Sequence, residues 1–250
     1  MTGLIKALLP FWAFKGLAHC WSALRTLLDS PAAAMAMFVG KGERLHRFSR
    51  LIHPFAYRLT ESDRDVVMQN IVRGECVGGR LPPTAKFIVD GGGYIGDTAA
   101  VFLSLYPDAI CLVFEPSGNS DFAARNLSPY GSRAVLKRAM LARDKGAFDM
   151  IEAGTGSKTV PSIDGKARYE VWTMDDVLRE SPTGSIDILK LDIEGAEYEV
   201  LQPPTRWLSA VRCLVLELHG EAAHRDIPGW LLAAGFSVER HRSLLFCNRP

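Results

Sequence analysis

The chain has 250 residues, of which 48% are apolar, and its formal net charge is +1. This composition supports a sizeable globular core, and the near-neutral charge gives no electrostatic reason to expect nucleic acid as a partner. The cysteines are scattered, with neither metal-type nor redox-type spacing: Cys20, Cys76, Cys111, Cys213 and Cys247. Such a pattern is typical of unpaired thiols in a reducing compartment, so we expect a cytoplasmic protein.

The segment 1–60 predicts helices. Apolar residues recur there at helical spacing, as in Leu17, Trp21, Leu24 and Leu28. Pro10 and scattered basic residues interrupt every apolar stretch before it reaches the roughly 20 residues that a spanning helix needs. We expect no signal peptide, because no small-residue cleavage site follows a short apolar core. An amphipathic helix here could pack on the domain, form a dimer contact or lie on a membrane surface.

A helix over 61–73, capped by Ser62, leads into a stretch at 74–83 that is rich in glycine and proline and predicts a boundary. We therefore divide the chain into a helical N-terminal extension over 1–80 and a domain over 81–250. In that domain apolar runs alternate with helical patterns. The predicted strands cover 86–90, 110–115, 133–138, 186–192 and 211–218, and the predicted helices cover 97–106, 118–127, 174–180, 197–202 and 221–234. This alternation predicts a parallel sheet with helices on both faces.

Two segments outside this alternation predict different structure. Apolar segments at 236–240 and 243–247, separated by a few polar residues, predict a final antiparallel hairpin. Residues 153–168 show no periodicity and predict a long loop, of a kind that often covers a functional site. The basic residues between Lys158 and Arg168 are more typical of a solvated surface than of substrate binding.

A glycine cluster follows the first predicted strand and opens the next helix. The order is Asp90, Gly91, Gly92, Gly93, Tyr94, Ile95 and Gly96. Backbone N–H groups at such a turn can approach a nucleotide-like ligand closely. Three of the glycines match the dinucleotide fingerprint, and Glu115-Pro116 follows about 20 residues later, where an acid can bind ribose hydroxyls. Because dinucleotides and S-adenosylmethionine share that ribose, a dinucleotide-dependent oxidoreductase stays an alternative at this point.

Asp90 discriminates between these ligands. A carboxylate directly before the glycines would repel a pyrophosphate and attract the ammonium and sulfonium of S-adenosylmethionine. Asp90 could instead merely orient the N–H groups of the glycine turn.

A second block lies about a hundred residues later: Leu-Lys-Leu-Asp-Ile-Glu-Gly-Ala-Glu at 189–197. Together with 90–96, Glu115-Pro116, 173–176 and 216–219, it resembles the FkbM family of S-adenosylmethionine-dependent methyltransferases over about 86–220. The resemblance implies a class I methyltransferase fold, an α/β, Rossmann-like, doubly wound seven-stranded sheet with an antiparallel last strand.

The family resemblance also carries functional expectations. It implies O-methylation of a hydroxyl on a sugar, polyketide or related metabolite, so the partner would be a small-molecule or glycan acceptor. Adenine would pack near Ala139, Met140 and Leu141. The chain departs from the usual family pattern at Gly91, where an aliphatic residue is more common, and at Tyr94, where Asn is more common.

The last two parallel strands carry the candidate catalytic residues. Alternation places Lys190 and Asp192 on one face of their strand, and Glu217 and His219 on one face of the next. We therefore expect two facing pairs, Lys190 with Glu217 and Asp192 with His219. The first pair could be purely structural, since a buried charge needs a partner.

Methyl transfer to oxygen requires alignment of the acceptor and removal of the hydroxyl proton. His219 could be the base, with Asp192 orienting it, or Asp192 could act directly with Glu194 beside it. Asp192 could instead bind the cofactor, by fixing the turn or the methionine ammonium. Glu194 and Glu197 could instead only stabilise the N-terminus of the next helix. A divalent metal on Asp192, Glu194 and His219 is chemically conceivable, but the spacing is not diagnostic and we predict none. A methyltransferase fold that has lost catalysis and acts as a binding module is the last alternative.

Overall fold

A computed structural model describes residues 41–77, 81–153 and 156–249, without the side chains of 152–159. Its first elements are an antiparallel hairpin of β1 (Glu43–His46) and β2 (Phe55–Arg58), followed by α1 (Glu61–Val66), which continues as a π-helical segment, Val67–Val72. The helix predicted over 61–73 is confirmed, but its cap is Thr60, whose side chain accepts a hydrogen bond from Asp63 N, and not Ser62. The prediction of helices over 1–60 is wrong for β1 and β2, which are strands.

The rest of the chain alternates between strands and helices. The strands are β3 (Phe87–Gly91), β4 (Ile110–Phe114), β5 (Ala134–Lys137), β6 (Ala139–Leu141), β7 (Phe148–Ala153), β8 (Gly156–Pro161), β9 (Glu170–Trp172), β10 (Ile186–Leu191), β11 (Val211–Glu217), β12 (Ser237–His241) and β13 (Leu244–Asn248). The helices are α2 (Asp97–Leu105), α3 (Asn119–Leu127), α4 (Met174–Glu180), α5 (Glu197–Leu201) and α6 (Glu221–Ala233). Short 3-10 segments cover Ser128–Arg133 and Arg206–Ala210.

Seven of these strands form the central sheet, in the order β12-β13-β11-β10-β3-β4-β5. Strands β11, β10, β3, β4 and β5 are parallel, whereas β13 pairs antiparallel with both β11 and β12. The last strand of the chain is thus the antiparallel one, which confirms the predicted class I methyltransferase sheet and its final hairpin.

Alternating side chains bury both faces of this sheet. Ile88 and Ile188 point into one apolar cluster, and their neighbours Val89 and Leu189 point into the other. Burial on both faces explains why the parallel strands are near-continuous apolar runs. The first cluster also contains Phe55 and other residues from 48–76. The division at residue 80 stays a prediction, although part of the 41–77 segment shares a core with the domain.

The predicted long loop contains regular structure. β7 and β8 pair antiparallel from Phe148↔Pro161 to Ala153↔Gly156, so the prediction of a structureless 153–168 segment is wrong for β8. A possible covering role for this hairpin stays a prediction. None of the helices in the described ranges is long and apolar enough to cross a membrane. The predicted N-terminal amphipathic helix and Cys20 fall at 1–40, outside the described residues.

Candidate active site

A cleft of about 770 Å³ lies at the carboxyl ends of the central parallel strands, where ligands bind in doubly wound sheets. This volume is typical of small-molecule sites. Predicted residues that line it are Gly92, Tyr94, Glu115, Pro116, Ala139, Met140, Leu141, Asp192, Glu194, Glu217 and His219. Ser62, Asp65, Val66 and Gln69 from the first helical segment and Met150 from β7 also line it, and none of these was predicted.

The glycine turn is held tightly between two strands. Gly92 N and Gly93 N both donate to the carbonyl oxygen of Phe114, over 3.0 and 2.9 Å. A Cβ on Gly92, whose φ is +82°, would lie 1.8 Å from the Asp192 carbonyl oxygen, and one on Gly93 would lie 2.4 Å from Val113 Cγ1. Side chains are therefore excluded at these positions. Gly91, Gly93 and Gly96 shape the turn without lining the cleft.

Glu115 closes this turn from the neighbouring strand. Its Oε2 accepts a hydrogen bond from Tyr94 N (2.8 Å), and its Oε1 accepts one from Ser117 N (2.9 Å). A carboxylate offers about four acceptor positions, so each oxygen can still accept a hydroxyl from the cleft. This capacity suits the predicted contact with a ribose.

Tyr94 connects the glycine turn to the N-terminal segment. Its backbone has a φ of +44°, and its hydroxyl donates to the buried Asp63 carboxylate over 2.8 Å. Asp63 also accepts two side-chain hydrogen bonds from Arg58, which in turn donates to Asn119 Oδ1 over 2.9 Å. Although burial opposes it, these bonds lower the pKa of Asp63. This network was not predicted from the sequence, where the unusual residue at position 94 was its one visible sign.

Asp90 lies beneath the cleft, fully buried, with Lys190 as its cationic neighbour. The β10–β3 register aligns Lys190 with Asp90, and Lys190 Nζ lies 3.3 Å from Asp90 Oδ1. The same Nζ donates to Gly92 O over 2.7 Å and lies 3.5 Å from Asp192 Oδ2. Burial raises the pKa of Asp90 to about 6, against the opposing charge of Lys190.

These contacts correct one expected pair. Lys190 aligns with Val215 on β11 and not with Glu217, so the expected Lys190–Glu217 ion pair is wrong. Lys190 already lies against the Asp90 carboxylate. The predicted contact between Asp90 and the cofactor ammonium stays a prediction.

The expected approach of Asp192 to His219 is present. His219 Nε2 lies 3.9 Å from Asp192 Oδ1 and 3.8 Å from Glu194 Oε2. On the other side of the ring, Nδ1 lies 3.3 Å from Oε1 of Glu197, a fully buried residue. The group at hydrogen-bond distance from the ring is therefore Glu197 and not Asp192, which was predicted to orient the histidine.

Charge in this cluster favours protonated groups. The hydrogen bond to Glu197, helped by the charges of Glu197, Asp192 and Glu194, raises the pKa of His219 to about 9. Burial raises the pKa values of Glu194 and Glu217, and the charge of Asp192 raises both further. The carboxyl groups around His219 thus favour its protonated form.

Part of this cluster also has the residue types of a metal site. Single ligand atoms of Asp192, Glu197 and His219 all lie within 4.8 Å of one another. Both Glu197 oxygens, however, already accept backbone N–H groups, from Ile193 and Gly195, and one of them also faces His219 Nδ1. The Glu197 carboxylate is thus already engaged by its own turn and by His219, and the absence of a metal stays a prediction.

Comparisons with known proteins agree with this geometry. A family model described as the methyltransferase FkbM domain matches residues 90–238. Methyltransferase sdnD of Sordaria araneosa is 26% identical over 227 residues, which cover 75% of this chain and 87% of that protein. Hexuronic acid methyltransferase AglP of Haloferax volcanii is 29% identical over 84 residues, 34% of this chain and 31% of that protein.

Among solved structures, the precorrin-6y C5,15-methyltransferase of Geobacter metallireducens GS-15 shares 11% identity, covers 71% of this chain and 85% of its own, and has a TM-score of 0.43. The family match covers more than half of the sequence and decides between the two cofactors that the glycine turn alone left open. The chain belongs to the FkbM methyltransferase family, and its cofactor is S-adenosylmethionine.

Proposed function

We propose that this chain transfers a methyl group to a hydroxyl oxygen of a sugar, polyketide or related acceptor. The observation that carries the proposal is the position of His219 Nε2. His219 lines the same cleft as Gly92 and Glu115, and the carboxylates nearest to its Nε2 lie 3.8 and 3.9 Å away. A group that accepts a proton is what O-methylation requires beyond alignment of the reactants.

The residues of one half of the cleft fit S-adenosylmethionine, which supplies an activated methyl group when bound. Glu115 has free acceptor capacity for the ribose hydroxyls, and Ala139 and Met140 offer an apolar surface for adenine. Gly92 presents backbone without a side chain to the cleft. In this proposal the acceptor binds beside the cofactor, against His219 and Glu194.

Proton removal falls to His219 in this proposal. The imidazole must be neutral to accept a proton, and its pKa is raised to about 9. Turnover should therefore increase with pH between 7 and 9, as the neutral fraction of His219 grows. Asp192 lies beside Nε2 and would stabilise the imidazolium that forms.

The charge of the cleft favours a hydroxyl acceptor over a carboxylate acceptor. Its lining has five carboxyl groups, namely Asp65, Glu115, Asp192, Glu194 and Glu217, against one imidazole, His219, and among the described residues no lysine or arginine lines it. Two like charges 4 Å apart repel by about 4 kcal/mol at an effective dielectric constant of 20. An acceptor that is neutral or carries an amine avoids this cost.

The test is a methyl-transfer screen with methyl-labelled S-adenosylmethionine, read by mass spectrometry. Acceptors are offered as matched sets, for example a neutral glycoside, the corresponding amino sugar and the corresponding uronic acid. The proposal expects label on a hydroxyl oxygen, loss of the product with His219→Asn, and weaker transfer to the uronic acid. Label on a carboxylate, nitrogen or carbon would contradict it.

Two further parts of the proposal concern the location and the partners of the protein. We propose a cytoplasmic location, since the cysteines of the described residues are free and buried, namely Cys76, Cys111, Cys213 and Cys247. The lack of nucleic acid as a partner, and a dimer or membrane contact through the N-terminal helices, stay predictions.

A further inference from the structure

The two nitrogens of His219 have different surroundings. Nδ1 lies 3.3 Å from Glu197 Oε1, whereas the carboxylates nearest to Nε2, on Asp192 and Glu194, lie 3.9 and 3.8 Å away. A hydrogen bond on one ring nitrogen decides which nitrogen keeps the proton in the neutral imidazole. The contact on the Nδ1 side is therefore the one that can set the tautomer.

The Glu197 carboxylate is held in place by its own turn. Positive φ angles at Glu194 (55°) and Gly195 (106°) bend the chain back after β10. As a result the Glu197 side chain accepts hydrogen bonds from Ile193 N through Oε1 and from Gly195 N through Oε2. An ionised carboxylate only accepts hydrogen bonds, so a bond between Glu197 and His219 requires the proton to be on Nδ1.

We propose that Glu197 is a positioning residue that fixes His219 as the Nδ1–H tautomer and thereby directs a free Nε2 lone pair into the cleft. The use of that lone pair as a base rests on the proposed function, whereas the tautomer does not. The sequence predicts only that Glu197 stabilises the N-terminus of its helix. The spacing of 194–197 does not show that the turn folds back toward His219.

Other charged groups near His219 differ from Glu197 in one respect. Asp192 and Glu194 follow β10, Glu217 precedes His219 at the end of β11, and Lys190 lies further below. The charges of Asp192 and Glu194 raise the pKa of the ring, but none of these groups lies at hydrogen-bond distance from Nδ1 among the contacts of the described residues. Removing Glu194 should therefore change the proton affinity of His219 and leave its tautomer unchanged.

Long-range ¹H–¹⁵N correlation spectra of the labelled full-length protein test the proposal, since they report which ring nitrogen carries the proton. His219→Asn assigns the signal. In the wild-type protein above pH 9, we expect the neutral ring to carry its proton on Nδ1. Glu197→Met, which has similar length but no acceptor oxygen, should lose this preference and shift the pKa from about 9 toward the ordinary value of 6.5.

Two control variants separate positioning from a general effect of charge. Glu199→Met removes an exposed carboxylate from the same helix and should leave both the tautomer and the pKa of His219 as in the wild type. Glu194→Gln should lower the pKa and preserve the Nδ1–H tautomer.

A wild-type His219 whose neutral form carries its proton on Nε2 would overturn the proposal, even if Glu197→Met does not fold. An unchanged tautomer in folded Glu197→Met would also overturn it. Because these spectra need neither cofactor nor acceptor, an Nδ1–H tautomer together with a failed methyl-transfer screen would count against the proposed function alone.

Discussion

Replacing Tyr94 with phenylalanine removes one hydroxyl from the junction between the glycine turn and the N-terminal segment. In the native protein this hydroxyl donates to Asp63 Oδ1 over 2.8 Å, and Arg58 Nη2 lies 3.4 Å from it. Asp63 is fully buried, so water does not replace the lost donor. We expect Tyr94→Phe to destabilise the fold.

The magnitude follows from the partners that remain. A hydrogen bond to a charged group contributes about 1.5–3 kcal/mol. Asp63 keeps three hydrogen bonds from the Arg58 backbone N–H, Nε and Nη2, so we expect the lower end, about 1.5 kcal/mol. For a chain of this size that corresponds to a decrease in Tm of roughly 3–6 °C.

Urea unfolding measures this change as a shift of the midpoint at constant slope. Tyr57→Phe is the control, because Tyr57 is fully buried and its hydroxyl has no hydrogen-bond partner among the described residues. Its removal should leave stability unchanged or raise it. The reasoning is refuted if Tyr94→Phe has wild-type stability, or if both variants lose the same amount.

Three further predictions concern the charged groups of the site. Lys190→Met should destabilise the fold by about 3–5 kcal/mol, since it leaves Asp90 buried without its cation; the double variant with Asp90→Asn should recover part of that loss in urea unfolding, and additive losses would contradict the pairing. Asp192→Asn should lower turnover more than S-adenosylhomocysteine affinity, and equal losses would make it a binding residue. The folded pKa of His219, about 9, lies above its unfolded value of 6.5, so the stability that the protonated ring contributes is complete below pH 6.5 and is lost as pH rises through 9. Unfolding midpoints measured across this range should show that decrease in the wild type and not in His219→Asn.

Apolar runs were enough to predict the central sheet, because its strands are buried on both faces. β3 and β10 read as continuous apolar segments, and the alternation with helices then limits the topology. The β1–β2 hairpin was missed because its strands have four residues each and are stabilised by tertiary packing, as where Phe55 enters the core. β8 was missed because its sequence, Gly-Ser-Lys-Thr-Val-Pro, has no alternating pattern.

The contacts between residues at the ends of neighbouring strands could be predicted from the sequence. The contacts that depend on strand order or on turn geometry could not. Strand alternation placed Asp192 and His219 together correctly. It could not show that Lys190 aligns with Asp90, because the order of strands in the sheet decides which side chains are neighbours. Nor could it show that consecutive positive φ angles at Glu194 and Gly195 bring Glu197 back to the imidazole.

Calorimetric titration with S-adenosylhomocysteine tests the central claim, that this cleft is the cofactor site of a methyltransferase. For the wild-type protein we predict a Kd in the micromolar range or better. Glu115→Ala removes a charged hydrogen-bond acceptor, so affinity should decrease by about 1–3 kcal/mol, or roughly 5- to 150-fold. The unfolding midpoint of this variant is measured alongside, because Glu115 also accepts two backbone N–H groups. No binding to the folded wild-type protein, or unchanged affinity in a folded Glu115→Ala variant, would contradict the account.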